Sequence, residues 1–282
     1  MNVSHLRQYV QLDHQLRKVF IELFLYNFIG RAYGPSQNHV LLSAEEYARN
    51  TAGLFASTDA LNAAVQTLKY NRASTDPALE ISPGGFLYYP PGHDAAGTFA
   101  SFPKLIWPRK EGEGVEVLDS AFDTLRELIK IGRENNIDLI FVLTPNHAYD
   151  DYYLDTTDSW KVVEEWLSRL SKEDATIYSF SQPNAWVYEP VRAGMRKWYD
   201  PYHFSLEMGR AMQLAMVGQK GDELPDDFMV RLTPAMVSKH VNSRRQAIRH
   251  WKNHYPAFAI EFERERQNWQ LALNAPGQSG KN

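Results

Sequence analysis

Asp200 and His203 are the residues whose types and spacing most clearly suit chemistry in this sequence. They lie in residues 198–204, where Pro201 restricts the backbone to a tight connection. Ser205 is a suitable N-cap, so this turn is predicted to lie directly before a helix. An Asp beside a His holds the ring in one tautomer and stabilises its protonated form, as a general base for a hydroxyl nucleophile requires. The alternative is a surface turn in which Asp200 caps a backbone N–H.

The composition of the chain is that of a globular protein. It has 282 residues, of which 44% are hydrophobic, a formal net charge of -4 and no cysteine. A chain of this length has ample material for a core. The net charge argues against a protein that coats nucleic acid or an anionic membrane. The lack of cysteine excludes disulfides, thiol catalysis and thiolate zinc sites.

No segment of the sequence predicts a membrane span or a signal peptide. The most apolar segment, residues 19–29, is interrupted by Glu22 and Asn27 and is shorter than the roughly 20 residues that a spanning helix needs. Residues 1–13 show no basic start followed by an apolar stretch. As written, the chain is therefore predicted to be soluble, untargeted and cytoplasmic.

Helix-like and strand-like patterns alternate along the chain, which indicates an α/β fold. Helices are predicted over residues 4–16, 43–55, 58–70, 118–135, 160–170, 206–217 and 233–254, and strands over residues 17–28, 137–143 and 175–180. The first strand is a nearly continuous apolar run, which is typical of a strand buried on both faces of a parallel sheet. Asn27 and residues 144–147 then fall at the carboxyl edge of the sheet, where α/β enzymes place their chemistry.

Four further predictions concern the long segment after residue 70 and the C-terminal part of the chain. Residues 71–114 combine prolines and glycines with aromatic residues, and we expect a long loop or lid that covers the site. Residues 218–229 are predicted to be a polar linker. Residues 230–274 are predicted to form a solvated helical hairpin broken at Pro256, because acidic residues balance its basic ones. Residues 275–282 are predicted to be a disordered tail.

With these elements the chain resembles the SGNH/GDSL hydrolase superfamily, in particular its bacterial members associated with cell-envelope polysaccharides. Residues 200–204, followed by a helix with Gly209, are similar to the closing D-x-x-H block that carries the catalytic Asp and His of the family. Residues 143–147 look like a Pro-x-His segment at the end of a strand. The strand that ends near Asn27 is similar to the one before the oxyanion-hole Asn, and the tail from Val230 is similar to the helical appendix of the same subgroup.

The resemblance implies a three-layer α/β fold with a parallel sheet of SGNH (flavodoxin-like) type over residues 1–217, followed by the helical appendix. The Gly-Asp-Ser block of the family, which should precede the helix near Ser4, has no counterpart in this sequence, and neither has the Gly-bearing second block. The sequence therefore looks like an SGNH-like domain that is N-terminally incomplete and begins after its nucleophile. The family association also implies a place in the cell envelope or periplasm.

The activity that the resemblance implies is ester hydrolysis or acyl transfer on acyl groups of carbohydrate, commonly acetyl groups. His203 would be the base, Asp200 its orienting partner and Asn27 an oxyanion donor. The nucleophile would come from a missing N-terminal segment, from a partner chain or from Ser36, which follows the strand of Asn27. Asn27 has a simpler alternative, an amide that satisfies loop backbone at the end of a strand.

Substrate contacts are predicted at four positions: Asn146, His147, Tyr202 and Trp107. For His147 the alternative is a loop histidine hydrogen-bonded to backbone. The expected partner is a carbohydrate or an acylated small molecule. We expect no cofactor and no nucleic acid. The loss of a first strand would leave a sheet edge in need of cover, which favours a dimer or a partner chain.

Two further classes of function would use some of the same residues. One is a metal-assisted hydrolase, with a divalent metal on His147, Asp150, Asp151, Asp200 and His203, although their spacing matches no dedicated metal motif. The other is a catalytically incomplete domain that binds glycan or a protein partner through the aromatic residues Phe86, Tyr88, Tyr89, Trp107 and Trp186.

Overall fold

The computed structural model describes residues 3–12, 16–29, 80–81, 87–88, 95–101, 116–157, 159–219 and 224–256, and the positions 259–260, 263–264, 267–268 and 271. The chain divides into two compact units, one of Met1–Ala32 with Asp94–Asn282 and one of Tyr33–His93. The predicted helices over residues 43–55 and 58–70, most of the predicted lid, Ser36 and Trp107 lie outside the described residues.

The described elements alternate between helix and strand, as an α/β fold requires. The strands are β1 (Lys18–Glu22), β2 (Glu80–Ile81), β3 (Leu87–Tyr88), β4 (Asp138–Leu143), β5 (Thr176–Ser179) and β6 (Val230–Arg231). The α-helices are α1 (Val3–Leu12), α2 (Ala95–Ser101), α3 (Asp119–Glu134), α4 (Ala148–Thr156), α5 (Trp160–Leu170), α6 (Leu206–Met216) and α7 (Val237–His254). Short 3-10 turns span Leu25–Asn27 and Pro234–Met236.

The first unit is built on a four-stranded sheet with the order β1-β4-β5-β6. The pairs β1–β4 and β4–β5 are parallel, and β6 joins β5 antiparallel. Five of the six residues of β4 are buried, as expected for its central place in the sheet. The predicted α/β class and mostly parallel sheet are therefore confirmed. In the second unit, β2 and β3 form an antiparallel pair.

The prediction that the first strand is long and buried on both faces is wrong. β1 ends at Glu22 and lies at the edge of the sheet, and only Ile21 within it is buried. Phe20 is 40% exposed. The apolar residues after Glu22 contribute to the core after the chain has left the sheet, first through Leu23 and then through the 3-10 turn. An apolar run thus predicts burial without fixing where the strand ends.

The C-terminal region is part of the same compact unit as the sheet. Phe228, within the predicted polar linker, is buried, and β6 adds a strand to the sheet. Helix α7 packs against α4 and α5 and buries one face, so the prediction of a solvated hairpin is wrong for α7. The described positions between 256 and 271 are helical. Among the described residues, none of the helices combines the length and the apolar character that a membrane crossing requires.

The contact between α3 and β4 leaves no room for a side chain at Gly132. A Cβ atom there would lie 2.7 Å from Leu139 Cγ and 3.1 Å from the carbonyl oxygen of Ile137. Ile137 belongs to the tight connection that returns the chain from α3 into the sheet, and Leu139 is the second residue of β4. Gly132 is therefore required by close packing rather than by backbone conformation.

We expect Gly132→Ala to lower the free energy of unfolding by about 1–3 kcal/mol, because overpacking outweighs the gain in helix propensity. Urea unfolding measures this change. Gly209→Ala in α6 is the matched control, because its Cβ would meet only the ring edge of Phe204, at 3.3 Å. A Gly132→Ala protein as stable as Gly209→Ala would contradict the packing argument.

Candidate functional site

Asp200 and His203 form a hydrogen-bonded pair in the turn before α6. Asp200 Oδ2 lies 2.6 Å from His203 Nδ1. Asp200 Oδ1 accepts from the backbone N–H groups of Tyr202 and His203, both at 2.8 Å. Ser205 caps α6 by accepting from the backbone N–H of Met208. The predicted turn, its pair and its cap are therefore all present, and Asp200 orients the ring and caps the turn at the same time.

The two members of the pair differ in exposure. The Asp200 side chain is 9% exposed and that of His203 is 64% exposed. Because Nδ1 is held by the carboxylate, the ring is fixed with Nε2 as its remaining reactive nitrogen. Among the described residues, no side chain or backbone group forms a hydrogen bond with this Nε2. An oriented imidazole on a largely exposed side chain is the arrangement that a general base requires.

Electrostatics favour the charged form of both groups. The pKa of His203 is raised above its ordinary value, first by the hydrogen bond to Asp200 and then by the negative charges of Asp200 and Glu22, while partial burial opposes the rise. Burial alone would raise the pKa of Asp200, but hydrogen bonds from His203 and from the turn backbone outweigh it and lower that pKa. The pair therefore stabilises an imidazolium, as a base does after it has taken up a proton.

The turn is fixed against the carboxyl edge of the sheet. The backbone N–H of His147, just after β4, donates to the carbonyl oxygen of Pro201 at 3.1 Å. The Tyr202 hydroxyl donates to Asp150 Oδ1 at 2.7 Å. The hydroxyl of Tyr26, from the 3-10 turn after β1, lies 3.3 Å from Asp150 Oδ1 and 3.3 Å from the Tyr202 hydroxyl. Segments that follow two parallel strands thus hold the Asp–His turn at the edge where α/β proteins bind ligands.

Asp150 is the buried centre of this network. Its Oδ2 accepts from Asn146 Nδ2 at 2.8 Å, in addition to the tyrosine contacts at Oδ1. Burial raises the pKa of Asp150 to about 6, although hydrogen bonds from Tyr202 and Asn146 and the charge of Arg244 oppose the rise. A carboxylate with a pKa this high changes its protonation state close to neutral pH.

Asp151, the next residue, has a different set of partners. Arg244 from α7 binds both of its oxygens, with Nε 3.2 Å from Oδ2 and the Nη2 group on Oδ1. The Tyr188 hydroxyl donates to Oδ2 at 2.6 Å. Both charged side chains are almost completely buried. This ion pair therefore fixes α7 onto the first turn of α4, next to Asp150.

His147 is a structural residue and not a substrate contact, which corrects the prediction of substrate binding. The ring is fully buried. Its Nδ1 accepts from the backbone N–H of Tyr149 at 3.1 Å, and its Nε2 lies 2.7 Å from the carbonyl oxygen of Glu189. Burial lowers the pKa of His147 to about 4, so the ring is neutral. The alternative, a loop histidine bonded to backbone, describes this residue.

The other predicted site residues are placed as follows. Asn27 is exposed and ends the 3-10 turn after β1; among the described residues, no hydrogen bond joins its side chain to the Asp200–His203 pair. Asn146 and Tyr202 both reach Asp150 and so belong to the support of the site. The roles proposed for Ser36 and Trp107 stay predictions, since these residues lie outside the described part of the chain.

The residues named for a metal do not converge. Within the described part of the chain, no group of three or more acidic, histidine or cysteine side chains is placed to hold a metal ion. His147 is bonded to backbone, Asp151 to Arg244 and Asp150 to tyrosine and asparagine donors. Each buried residue of the set proposed for a metal is therefore already hydrogen-bonded to or ion-paired with another group.

Trp186, one of the aromatic residues named for glycan binding, is packed into the fold. Its ring contacts Phe228 at a centroid distance of 5.5 Å, and Lys197 Nζ lies 3.5 Å from its centroid. The carbonyl oxygen of Trp186 accepts from Trp198 Nε1 at 2.9 Å. These contacts explain Trp186 as part of the support beneath the loop that carries Asp200.

Glu22 and Thr144 are neighbours of the site that the sequence argument missed. Thr144 Oγ1 donates to Glu22 Oε1 at 2.6 Å, which joins the ends of β4 and β1. The charge of Glu22 contributes to the raised pKa of His203. The sequence signal that points to Glu22 is a carboxylate that interrupts an apolar run, and the structure ends β1 at this residue.

Comparisons with protein-family models, with characterised proteins and with solved structures found no match for this chain. The resemblance to SGNH hydrolases therefore stays a prediction.

We expect Asp200→Asn to lower the pKa of His203, because the main cause of its rise is the bond to the carboxylate. Since the folded pKa of His203 is raised, the pair stabilises the fold below the unfolded value of about 6.5, and this contribution is lost as the pH rises through the folded pKa. NMR titration of the ring measures the shift. Asp123→Asn on the exposed face of α3 is the control, and an unchanged titration in Asp200→Asn would contradict the assignment.

We expect Arg244→Met to lower the free energy of unfolding by about 3–5 kcal/mol, because it leaves Asp151 as an unpaired buried charge. Tyr188→Phe is the matched comparison: it removes one hydrogen bond to the same carboxylate, keeps the ion pair and should cost about 1.5 kcal/mol. Denaturant unfolding measures both. Equal losses in the two variants would show that the ion pair does not fix α7.

Proposed function

We propose that the chain is an SGNH-like ester hydrolase or O-acyltransferase, with the three-layer fold of that superfamily, which acts on acyl groups of carbohydrate, acetyl groups foremost. The observation that carries this proposal is the hydrogen bond of 2.6 Å between Asp200 and His203, with the His203 side chain exposed at the carboxyl edge of a mostly parallel sheet. The resemblance of residues 200–204 to the D-x-x-H block supplies the reaction class. The resemblance of residues 143–147 and of the tail from Val230 to the envelope-polysaccharide subgroup supplies the substrate class.

In this mechanism His203 takes a proton from an attacking hydroxyl through Nε2. The proton on Nδ1 stays on the ring and is held by Asp200, which stabilises the imidazolium. The charge of Glu22 adds to this stabilisation. When the tetrahedral intermediate collapses, the imidazolium returns the proton to the leaving oxygen. General base catalysis of this kind contributes about 10²–10⁴-fold to a rate.

The mechanism admits two sources of the attacking hydroxyl. Among the described residues, no serine or threonine hydroxyl is hydrogen-bonded to His203. A serine elsewhere in the chain or in a partner would give a covalent acyl-enzyme. A water or a sugar hydroxyl activated directly by His203 would give hydrolysis or transfer in one step. Both routes use the same base and the same orienting carboxylate.

The pH dependence follows from the protonation of His203. Only the neutral ring accepts a proton, and its pKa is raised above the ordinary value of 6.5. Activity should therefore rise with pH and level off above that raised pKa. Glu22→Gln removes one cause of the rise, so we expect the inflection of the pH–rate profile to move to lower pH.

The decisive experiment measures the release of acetate from methyl 6-O-acetyl-β-D-glucopyranoside together with labelling by a fluorophosphonate serine probe. We expect His203→Ala to lower kcat/KM by about 10²–10⁴-fold. His250→Ala, on the exposed face of α7, is the control and should keep full activity. Mass spectrometry of the labelled protein would identify a serine nucleophile.

The outcomes separate the routes. Labelling of one serine that depends on His203 would establish the covalent route. Turnover that depends on His203 without labelling would establish direct activation of water or sugar. Turnover that is absent, or equal in wild type and His203→Ala, would contradict the proposal and favour a catalytically incomplete domain that binds glycan or a protein partner.

A further inference from the structure

A small polar chamber lies beneath the carboxyl edge of the sheet, within the first unit. Its volume is about 20 Å³, which is room for one water-sized group. Its apolar walls are formed by residues that follow β1, by Leu143 of β4, by Leu154 of α4 and by residues of α5. Its polar lining consists of Thr144, Asn146, Asp150, Ser181, His240 and Arg244. The last two come from α7, so the chamber closes only because α7 packs onto the unit.

His240 presents a hydrogen-bond donor without a protein partner in this lining. Gln182 Nε2 lies 2.6 Å from His240 Nδ1. An amide nitrogen can only donate, so Nδ1 is the acceptor in this hydrogen bond. Burial, with a smaller effect of Arg244, lowers the pKa of His240 to about 3, so the ring is neutral. Because Nδ1 accepts from Gln182, the single ring proton is on Nε2. His240 is 2% exposed. Among the described residues, no atom accepts a hydrogen bond from this Nε2.

Trp166 presents a second donor of the same kind. It belongs to α5, lines the same chamber and is 5% exposed. Within the described part of the chain, its Nε1 also has no hydrogen-bond acceptor. Buried donors are satisfied in nearly all native proteins, so two of them around one chamber require an acceptor there. Two side chains from different helices, α5 and α7, thus line this chamber, and each has a donor without an acceptor among the described residues.

The chemistry of the lining selects the acceptor. A cation is excluded from the chamber, because two N–H donors and the positive charge of Arg244 would repel it. An anion is disfavoured by the carboxyl group of Asp150, and Arg244 is already paired with Asp151. The volume admits one oxygen with at most a small substituent. A hydroxyl-type oxygen meets every requirement, since it accepts from N–H groups and donates to a carboxylate.

We propose that this chamber is a binding site for one hydroxyl oxygen, which accepts hydrogen bonds from His240 Nε2 and Trp166 Nε1. The oxygen is that of a bound water or of a hydroxyl group of the carbohydrate ligand. Only the second source rests on the proposed function. Through His240, α7 would take part in binding, whereas the sequence predicts only a helical appendix there.

The chamber is connected to the candidate base by two routes. Thr144 lines it and donates to Glu22, whose charge acts on His203. Asp150 lines it and accepts from Tyr202, which lies between the two members of the pair in sequence. A sugar that inserts one hydroxyl here would therefore be positioned next to the turn that carries His203.

The test combines a crystal structure of the wild-type full chain with NMR of its 15N-labelled form. In the crystal we expect an oxygen within about 2.7–3.2 Å of both His240 Nε2 and Trp166 Nε1. In solution, Trp166→Phe identifies the indole resonance by its loss. His240→Phe should shift that resonance, because it removes the second donor to the shared oxygen. His250→Phe on the exposed face of α7 is the control and should leave it in place.

Methyl β-D-glucopyranoside distinguishes the two sources. A saturable shift of the Trp166 indole resonance, absent in His240→Phe, together with a sugar hydroxyl in the chamber of a soaked crystal, assigns the site to ligand. An ordered oxygen that the sugar neither shifts nor replaces assigns it to water. Either result supports the site, whether or not His203 is catalytic. A wild-type crystal with no oxygen within hydrogen-bond distance of both nitrogens, with and without the sugar, would overturn the proposal.

Discussion

The structure around the candidate site depends on two adjacent buried carboxylates, Asp150 and Asp151, in the first turn of α4. The helix N-terminus favours negative charge there, but a buried carboxylate still needs specific partners. Asp150 obtains them from Tyr202, Asn146 and Tyr26, and Asp151 from Arg244 and Tyr188. Because successive residues of a helix point in different directions, the two side chains draw separate parts of the chain to the same end of the sheet.

The three acidic groups near the site have different environments, and the environments set different roles. Burial raises the pKa of Asp150 to about 6, although hydrogen bonds from Tyr202 and Asn146 oppose the rise. Asp200 receives enough hydrogen bonds for its pKa to fall despite burial, so it stays charged beside the imidazole. Glu22 is exposed and acts on His203 through its charge. A permanently charged partner suits the orientation of a base, whereas a carboxyl group with a pKa near 6 suits a structural hydrogen-bond centre.

Local features of the sequence were enough to predict the Asp200–His203 turn. Pro201 and Ser205 act within a few residues, and a pair three positions apart can meet without help from the rest of the chain. Residues 19–28 show the opposite case. Their apolar character correctly predicts burial, but the sheet order puts β1 at an edge, and sequence periodicity carries no information on which strand is central. His147 was misassigned because its two backbone partners are set by tertiary contacts that no motif records.

The polar residues on the buried face of α7 are a sequence signal for buried polar contacts. The buried face of this helix follows helical spacing through Val237, Val241, Ile248 and Trp251, and His240 and Arg244 lie on that same face. A charged residue in an otherwise apolar stripe needs a buried partner of opposite charge. The local count of basic and acidic residues suggested a solvated surface, because it ignored which face each residue occupies. Judged by face, Arg244 predicts an acidic partner inside the fold, and Asp151 is that partner. The same reasoning makes His240 a residue placed for a contact inside the unit, since a buried imidazole is stable there only when both of its nitrogens are satisfied.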